Sequence, residues 1–215
     1  MIRIAMTALK GGAGVTAMVA GLAQAASRED LGVLCIDGDR QGTLKYHLGL
    51  VRMTGEDEDN TTHSRIMLRS PERAGERAAD VMIWDVPRAD NDVDNPVLET
   101  ADLVVLVVPA NAPSVTMVTS VRDFLSRGEN HFLLINFDDG RIPLKRTTAD
   151  YLNRTFGDRV LGRVRQDESI DEALANLELL STAAPHSAAW TDIRGVLGNL
   201  LKRLETLPVA NNGRA

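Results

Sequence analysis

Five short runs of this chain, residues 2–7, 32–36, 80–84, 103–108 and 132–136, are apolar at nearly every position. A strand with one face in water alternates apolar and polar residues. A strand apolar throughout is buried on both faces, the situation in a parallel sheet covered on each side by helices. The intervening segments supply those helices: residues 15–27, 64–79, 114–127 and 147–156 carry helical spacing. The last, 187–207, places Ile193, Val196, Leu197, Leu200, Leu201 and Leu204 on one face. Strands and helices in alternation predict an α/β fold, a doubly wound, mostly parallel sheet with helices on both faces. Such sheets bind ligands outside the carboxyl ends of their strands, so the turns after the apolar runs are where chemistry is expected. Residues 1–207 read as one domain, 54–60 as a polar acidic loop and 208–215 as a tail with nothing to bury.

The first of those turns is Lys10-Gly11-Gly12-Ala13-Gly14-Val15-Thr16, between the first strand and the first helix. Glycines let successive backbone N–H groups converge on one anion, and the helix N-terminus adds its positive end. Thr16 can place its hydroxyl on a magnesium ion. The setting predicts a P-loop that holds a nucleotide through residues 10–16. Two positions depart from the general pattern G-x-x-x-x-G-K-[ST]: Leu9 stands for its first glycine, and Val15 for the lysine that grips phosphate.

The second apolar run leads into Ile36-Asp37-Gly38-Asp39-Arg40-Gln41-Gly42-Thr43. Carboxylates at a strand end can hold magnesium's water shell and orient an attacking water. They can equally form an Asx-turn that caps the next helix. Both readings stand open for Asp37 and for Asp39. The third run, Val81-Met82-Ile83-Trp84-Asp85-Val86-Pro87, follows Walker B logic, with Asp85 accepting hydrogen bonds from magnesium-bound water. Thr16, Asp37, Asp39 and Asp85 are thus the candidate metal-site residues. His47, His63, His131 and His186 are scattered and suggest neither a metal site nor a triad.

Lys10-Gly11-Gly12 resembles the deviant Walker A motif of the ParA/MinD family. In that family the early lysine reaches across a nucleotide-sandwich dimer to the partner's phosphates. Residues 37–42 are similar to the family's D-x-D-P-Q-G segment, with Arg40 in place of proline. The order of motifs continues through Ala101-Asp102-Leu103-Val104-Val105-Leu106-Val107-Val108-Pro109. The resemblance implies ATP and Mg2+ as cofactors and a homodimer. Lys10 and Asp39 would be the catalytic residues, Asp39 orienting water with Asp37 in support. Asn136, at the end of the fifth run, would read the adenine edge, a turn-forming asparagine being the alternative.

Within the family the chain is similar to the BcsQ (YhjQ) proteins of bacterial cellulose biosynthesis. Three segments carry that likeness: Pro87-Arg88 after Asp85, then Arg165-Gln166-Asp167-Glu168-Ser169-Ile170-Asp171-Glu172-Ala173-Leu174-Ala175, then Ala184-Pro185-His186-Ser187-Ala188-Ala189. Those proteins tend to lack the second P-loop lysine, as Val15 does here. The likeness implies a cytoplasmic accessory of cellulose synthesis and secretion, peripheral to the inner membrane through synthase partners, with weak or no hydrolysis. Two other readings stand beside it, a partition or positioning ATPase acting on DNA or membrane, and a non-hydrolysing scaffold.

Charge bears on that choice. The chain has 24 Lys and Arg against 30 Asp and Glu, a net charge of −6 and a pI near 5.3, which argues against nucleic acid as a partner. Arginines at 65–77 and at Arg159, Arg163 and Arg165 are interleaved with acids and lack an aromatic platform, so they are expected to form solvated faces. The last helix carries few basic residues, Lys202 and Arg203 among them, which favours core packing over a membrane surface. No run reaches the ~18–20 apolar residues of a membrane span, so no direct insertion is expected. The N-terminus reads as strand without a signal peptide, and Cys35 as a buried thiol in a reducing compartment.

Overall fold

The computed structural model describes residues 1–50, 65–74, 79–88 and 95–207. Seven strands form one sheet: β1 (Ile2–Thr7), β2 (Val33–Asp37), β3 (Ile66–Arg69), β4 (Val81–Asp85), β5 (Leu103–Pro109), β6 (His131–Asp138) and β7 (Val160–Arg165). Their order is β3-β2-β4-β1-β5-β6-β7, and every pairing is parallel. The helices are α1 (Val15–Arg28), α2 (Leu44–His47), α3 (Pro96–Thr100), α4 (Ala112–Thr116), α5 (Val118–Leu125), α6 (Pro143–Phe156), α7 (Ser169–Ala175), α8 (Leu180–Ala183) and α9 (Ala188–Thr206).

Strand residues alternate between two cores, which is why the apolar runs show no polar alternation. Ile4, Met6, Val105, Val107, Phe132 and Leu134 pack with α1 and α9 on one face. Ala5, Val104, Leu106, Val108, Leu133 and Ile135 pack with α5 and α6 on the other. The central strands are therefore dry on both sides, as their composition requires. Helix α9 is capped by Ser187, whose Oγ accepts the Trp190 N–H at 3.2 Å, and it buries Ile193, Val196, Leu197 and Leu200. Its apolar face serves the core, as the sequence suggests. No helix among the described residues is long and apolar enough to cross a membrane.

Several sequence expectations need correction. The helix expected over 64–79 is instead β3 followed by a 3₁₀ turn at Pro71–Arg73, residues 64 and 75–78 lying outside the described set. Pro71 disfavours helical backbone at the residue before it, and Ile66-Met67-Leu68 suits an edge strand paired to β2. Strand β7 escaped notice because two of its six residues are arginines. Those arginines are paired as well as partly solvated, the Arg165 side chain being exposed and Arg163 half-buried. Arg163 pairs with Asp138 at 2.8 Å and Asp150 at 2.7 Å, and Arg165 pairs with Asp192 at 2.7 Å. Arg159 donates to the carbonyls of Gly128, Glu129 and His131 at 2.9–3.0 Å. The helix expected over 114–127 breaks at Met117 into α4 and α5, and the one expected at 147 starts at Pro143, whose missing N–H suits a first turn. The acidic loop 54–60 and the tail 208–215 lie outside the described residues.

Helix α1, which carries the P-loop at its head, is backed by α9. A Cβ on Gly21 would stand 2.8 Å from the Ile193 side chain, so the two helices meet closely at a glycine. Ile193→Ala should therefore leave a cavity that the close approach cannot fill, and lower stability by about 2–5 kcal/mol. Urea denaturation monitored by circular dichroism checks this. The midpoint should fall with the slope unchanged.

Candidate nucleotide-binding site

The carboxyl ends of β1, β2, β4, β6 and β7 surround a cavity of about 400 Å³, within the usual range for small-molecule sites. The P-loop forms its floor between β1 and α1. Gly12 and Gly14 have φ of 77° and 85°, a left-handed backbone that side chains resist. Gly14 has a second reason to be glycine: a Cβ there would stand 2.5 Å from Asn136 Nδ2 and 3.1 Å from the Phe137 ring. Asn136 is buried and donates from Nδ2 to the Ala13 carbonyl at 2.8 Å, fastening the loop to β6. One amide hydrogen is thus committed, and Oδ1 is buried without a hydrogen-bond partner. Lys10 is exposed at the rim and Val15, half-buried, packs against the α1 core in the first position of the helix.

The two carboxylates of the Asp37-Gly38-Asp39 turn separate in role. Asp37 Oδ1 accepts the Asp39 N–H at 3.1 Å and Oδ2 accepts the Leu44 N–H at 3.2 Å. It shapes the turn and opens α2, which is the Asx-turn reading, and it does not line the cavity. Burial raises its pKa against those two backbone bonds. Asp39 lines the cavity and accepts the Gln41 N–H at 3.0 Å. Gly38 makes the turn possible: its N–H donates to the Asp85 carbonyl at 2.9 Å, and a Cβ there would stand 2.7 Å from that oxygen.

Asp85 is buried at the end of β4 and lines the cavity with Thr16, and its Oδ2 has no hydrogen-bond partner. Burial, and then repulsion from Asp37 and Asp39, push its pKa up to about 6, while the Thr16 hydroxyl pulls it down. A buried carboxylate oxygen of this kind, beside a threonine hydroxyl and a phosphate loop, fits the water shell of a magnesium ion. No cluster of three or more His, Cys, Asp or Glu able to hold a metal occurs among the described residues. Mg2+ relies on one or two carboxylates plus substrate phosphates rather than on an all-protein cage.

Sequence reasoning missed the far wall. Phe137 adopts a left-handed φ of 55°, rare outside glycine, with its ring beside Gly14. Beyond it Asp167 accepts from the Ser169 N–H and the Ala189 N–H, both at 3.1 Å, clasping the starts of α7 and α9. Arg165 lies across Asp192 with two bonds of 2.7 Å. The segments 165–175 and 184–189, singled out by resemblance alone, are thus fastened to each other at the cavity wall. An aspartate two residues before a serine was the available signal for the clasp; the Phe137 backbone had none.

The sequence model of the CobQ/CobB/MinD/ParA nucleotide binding domain matches residues 4–180. Comparison with curated proteins finds none that matches the sequence. Among solved structures, the MinD cell division protein of Aquifex aeolicus is similar with a TM-score of 0.74 and 18% identity, over 97% of this chain and 98% of that one. A putative plasmid partition protein of Borrelia burgdorferi B31, solved with AMPPNP, is similar with a TM-score of 0.74 and 16% identity, over 94% and 99%. The septum site-determining protein MinD of Pyrococcus horikoshii OT3, solved with Mg-ADP, gives 0.73 and 16%, over 94% and 96%. At these identities the structural likeness is one of fold.

The electrostatics of Asp85 yield a signed expectation. Its folded pKa, about 6, lies above its ordinary value of 3.8, so ionised Asp85 destabilises the ligand-free fold at pH 7. Asp85→Asn should therefore raise the ligand-free stability at pH 7 by about 1–3 kcal/mol. The advantage should shrink as pH falls through 6 and vanish below about 4, where both chains are neutral at this position. Thermal unfolding at pH 4–8 without nucleotide or metal measures it; a variant less stable than wild type at pH 7 contradicts the assignment.

Proposed function

The chain belongs to the CobQ/CobB/MinD/ParA nucleotide-binding family, and on that premise we propose that it binds ATP with Mg2+ in this cavity, dimerises on doing so, and hydrolyses ATP slowly or not at all. The observation that carries the reading is Val15, an apolar side chain packed on the core inside an otherwise well-formed phosphate loop. A lysine there would set a positive charge against the β and γ phosphates, where charge develops in the transition state. One charge-assisted hydrogen bond contributes ~1.5–3 kcal/mol, so its absence lowers binding or rate roughly tenfold to a hundredfold. The backbone N–H cradle, Thr16 and Asp85 about the cation, and Lys10 from a second copy still hold the nucleotide. Asp39 faces the cavity where it would orient water, and Asn136 stands at the base end. Binding then survives better than turnover, and ATP acts as an assembly signal.

Lys10 is exposed and has no ion-pair partner among the described residues, which suits a role on a partner's phosphates in a two-fold dimer. ATP should therefore convert monomer to dimer, and Lys10→Ala should abolish the shift. Light scattering with and without ATP reads the assembly, and phosphate release reads turnover. Val15→Lys should speed release roughly tenfold or more. A wild type that stays monomeric with ATP bound, or releases phosphate as fast as Val15→Lys, defeats the proposal.

The finer role we propose is that of a BcsQ-like accessory to the cellulose synthase and secretion proteins of the inner membrane. Its support is the likeness at Pro87-Arg88, 165–175 and 184–189, together with the net charge of −6. Non-specific DNA binding needs a dense basic face, and the arginines at 159, 163 and 165 are spent on internal carbonyls and carboxylates. Tagged protein expressed from its own locus should recover cellulose synthase subunits in an ATP-dependent manner. Salt-sensitive, ATP-dependent gel shifts with random-sequence DNA would favour a partition ATPase instead.

A further inference from the structure

The absent P-loop lysine leaves a charge problem that the cavity itself addresses. Among the described lining residues, the cationic side chains are Lys10, Arg88 and Arg165. Arg165 is held by Asp192 through two bonds of 2.7 Å and also reaches the Ala188 carbonyl, so it is committed to the wall. Lys10 sits on the exposed rim of the loop. Arg88 lines the cavity just after β4, on the side of Asp85 and away from β7, and its starting point is fixed from two sides. The Val86 N–H donates to the Met6 carbonyl at 2.9 Å and the Thr7 hydroxyl to the Pro87 carbonyl at 3.0 Å, tying this turn to β1. On the other side Pro87 packs against Gly38, where a Cβ would stand 3.2 Å from its ring. Arg88 therefore projects from a rigid turn one strand spacing, about 4.8 Å, from the strand that carries the P-loop.

The sheet order says which end of a nucleotide it faces. Asp39 and Asp85 stand at the ends of β2 and β4, on one side of the P-loop strand β1. Asn136 and Phe137 stand on β6, on the opposite side and beyond β5. A nucleotide lying along this edge has its base over β6 and its terminal phosphate over β4, with the cation-binding carboxylates. Resting on the proposed ATP site, we infer that Arg88 supplies within its own subunit the positive charge on the terminal phosphate that Val15 does not. A guanidinium suits the task because its planar fork takes two phosphate oxygens at once. Arg88 already takes part in an interaction within the protein, so phosphate binding exchanges one contact for another.

Isothermal titration of the full chain with Mg-ATP and Mg-ADP tests this, using wild type, Arg88→Ala, Arg88→Lys and Val15→Lys/Arg88→Ala. Arg88→Ala should weaken ATP roughly tenfold to a hundredfold while ADP changes far less, so the preference for ATP collapses. Arg88→Lys should recover only part of it, and the double variant should regain ATP affinity because the lysine reoccupies the P-loop position. Thermal unfolding without nucleotide establishes that each variant folds. Tight wild-type binding that Arg88→Ala leaves unchanged, or loses equally for both nucleotides, overturns the role of Arg88 alone. A wild type that binds neither nucleotide overturns the reading of the site and Arg88 with it.

Discussion

Because every described strand runs the same way, all the carboxyl ends lie along one edge, and the chain must turn there after each strand. Those turns cannot be independent. The P-loop is fastened to β6 through Asn136 and Ala13, β1 to the turn after β4 through Thr7 and Pro87, and the turn after β2 to β4 through Gly38 and Asp85. Each tie is short and has a backbone carbonyl as acceptor, so it fixes main chain rather than a mobile side chain. A glycine occurs where two turns press closest, at 14 and at 38, since a Cβ would collide in both places. The parallel sheet thus sets the order of the turns, and the ties set their spacing.

Electrostatics follow from that spacing. Asp37, Asp39 and Asp85 are drawn together by the parallel register of β2 and β4, which pairs Asp37 with Asp85 across the ladder. Backbone donors hold Asp37, yet the buried Oδ2 of Asp85 is left without a donor. Such a group destabilises the empty fold and gains most from a hydrated divalent cation, a trade of stability for function. Val15 works in the opposite sense. It adds apolar contact to α1 and removes a cation, so the ligand-free loop is better packed while the phosphate end must draw its positive charge from elsewhere.

Legibility tracked how local the determining physics is. The P-loop could be read because left-handed backbone at Gly12 and Gly14 demands glycine, and the central strands because burial on both faces leaves them apolar throughout. Asp37 and Asp39, two residues apart, are separated in the sequence by the family resemblance alone, since their division of labour depends on Gly38 closing against β4. Strand β7 was invisible because Arg163 and Arg165 look like surface residues until Asp138, Asp150 and Asp192 arrive from elsewhere in the sequence. Phe137 gave no sign of its left-handed backbone, which the bulged pairing of β6 with β7 accompanies. What failed in each case was long-range pairing.

The two sides of the cavity are fastened by bonds of very different burial. Asn136 is 1% exposed, so its bond to Ala13 lies in a medium where breaking it leaves a buried carbonyl unsatisfied, at about 1–3 kcal/mol. On the far wall the Arg165 side chain is 51% exposed and Asp192 17%, and water competes for that pair. Helix α7 spans seven residues, too short to be stable without its clasp at Asp167. The phosphate floor is thus held by a buried bond and the far wall by a solvent-exposed pair. Asp167 ties the starts of α7 and α9 together, because it accepts from both. On the segments 165–175 and 184–189, one carboxylate therefore joins the cavity wall to the helix that backs α1.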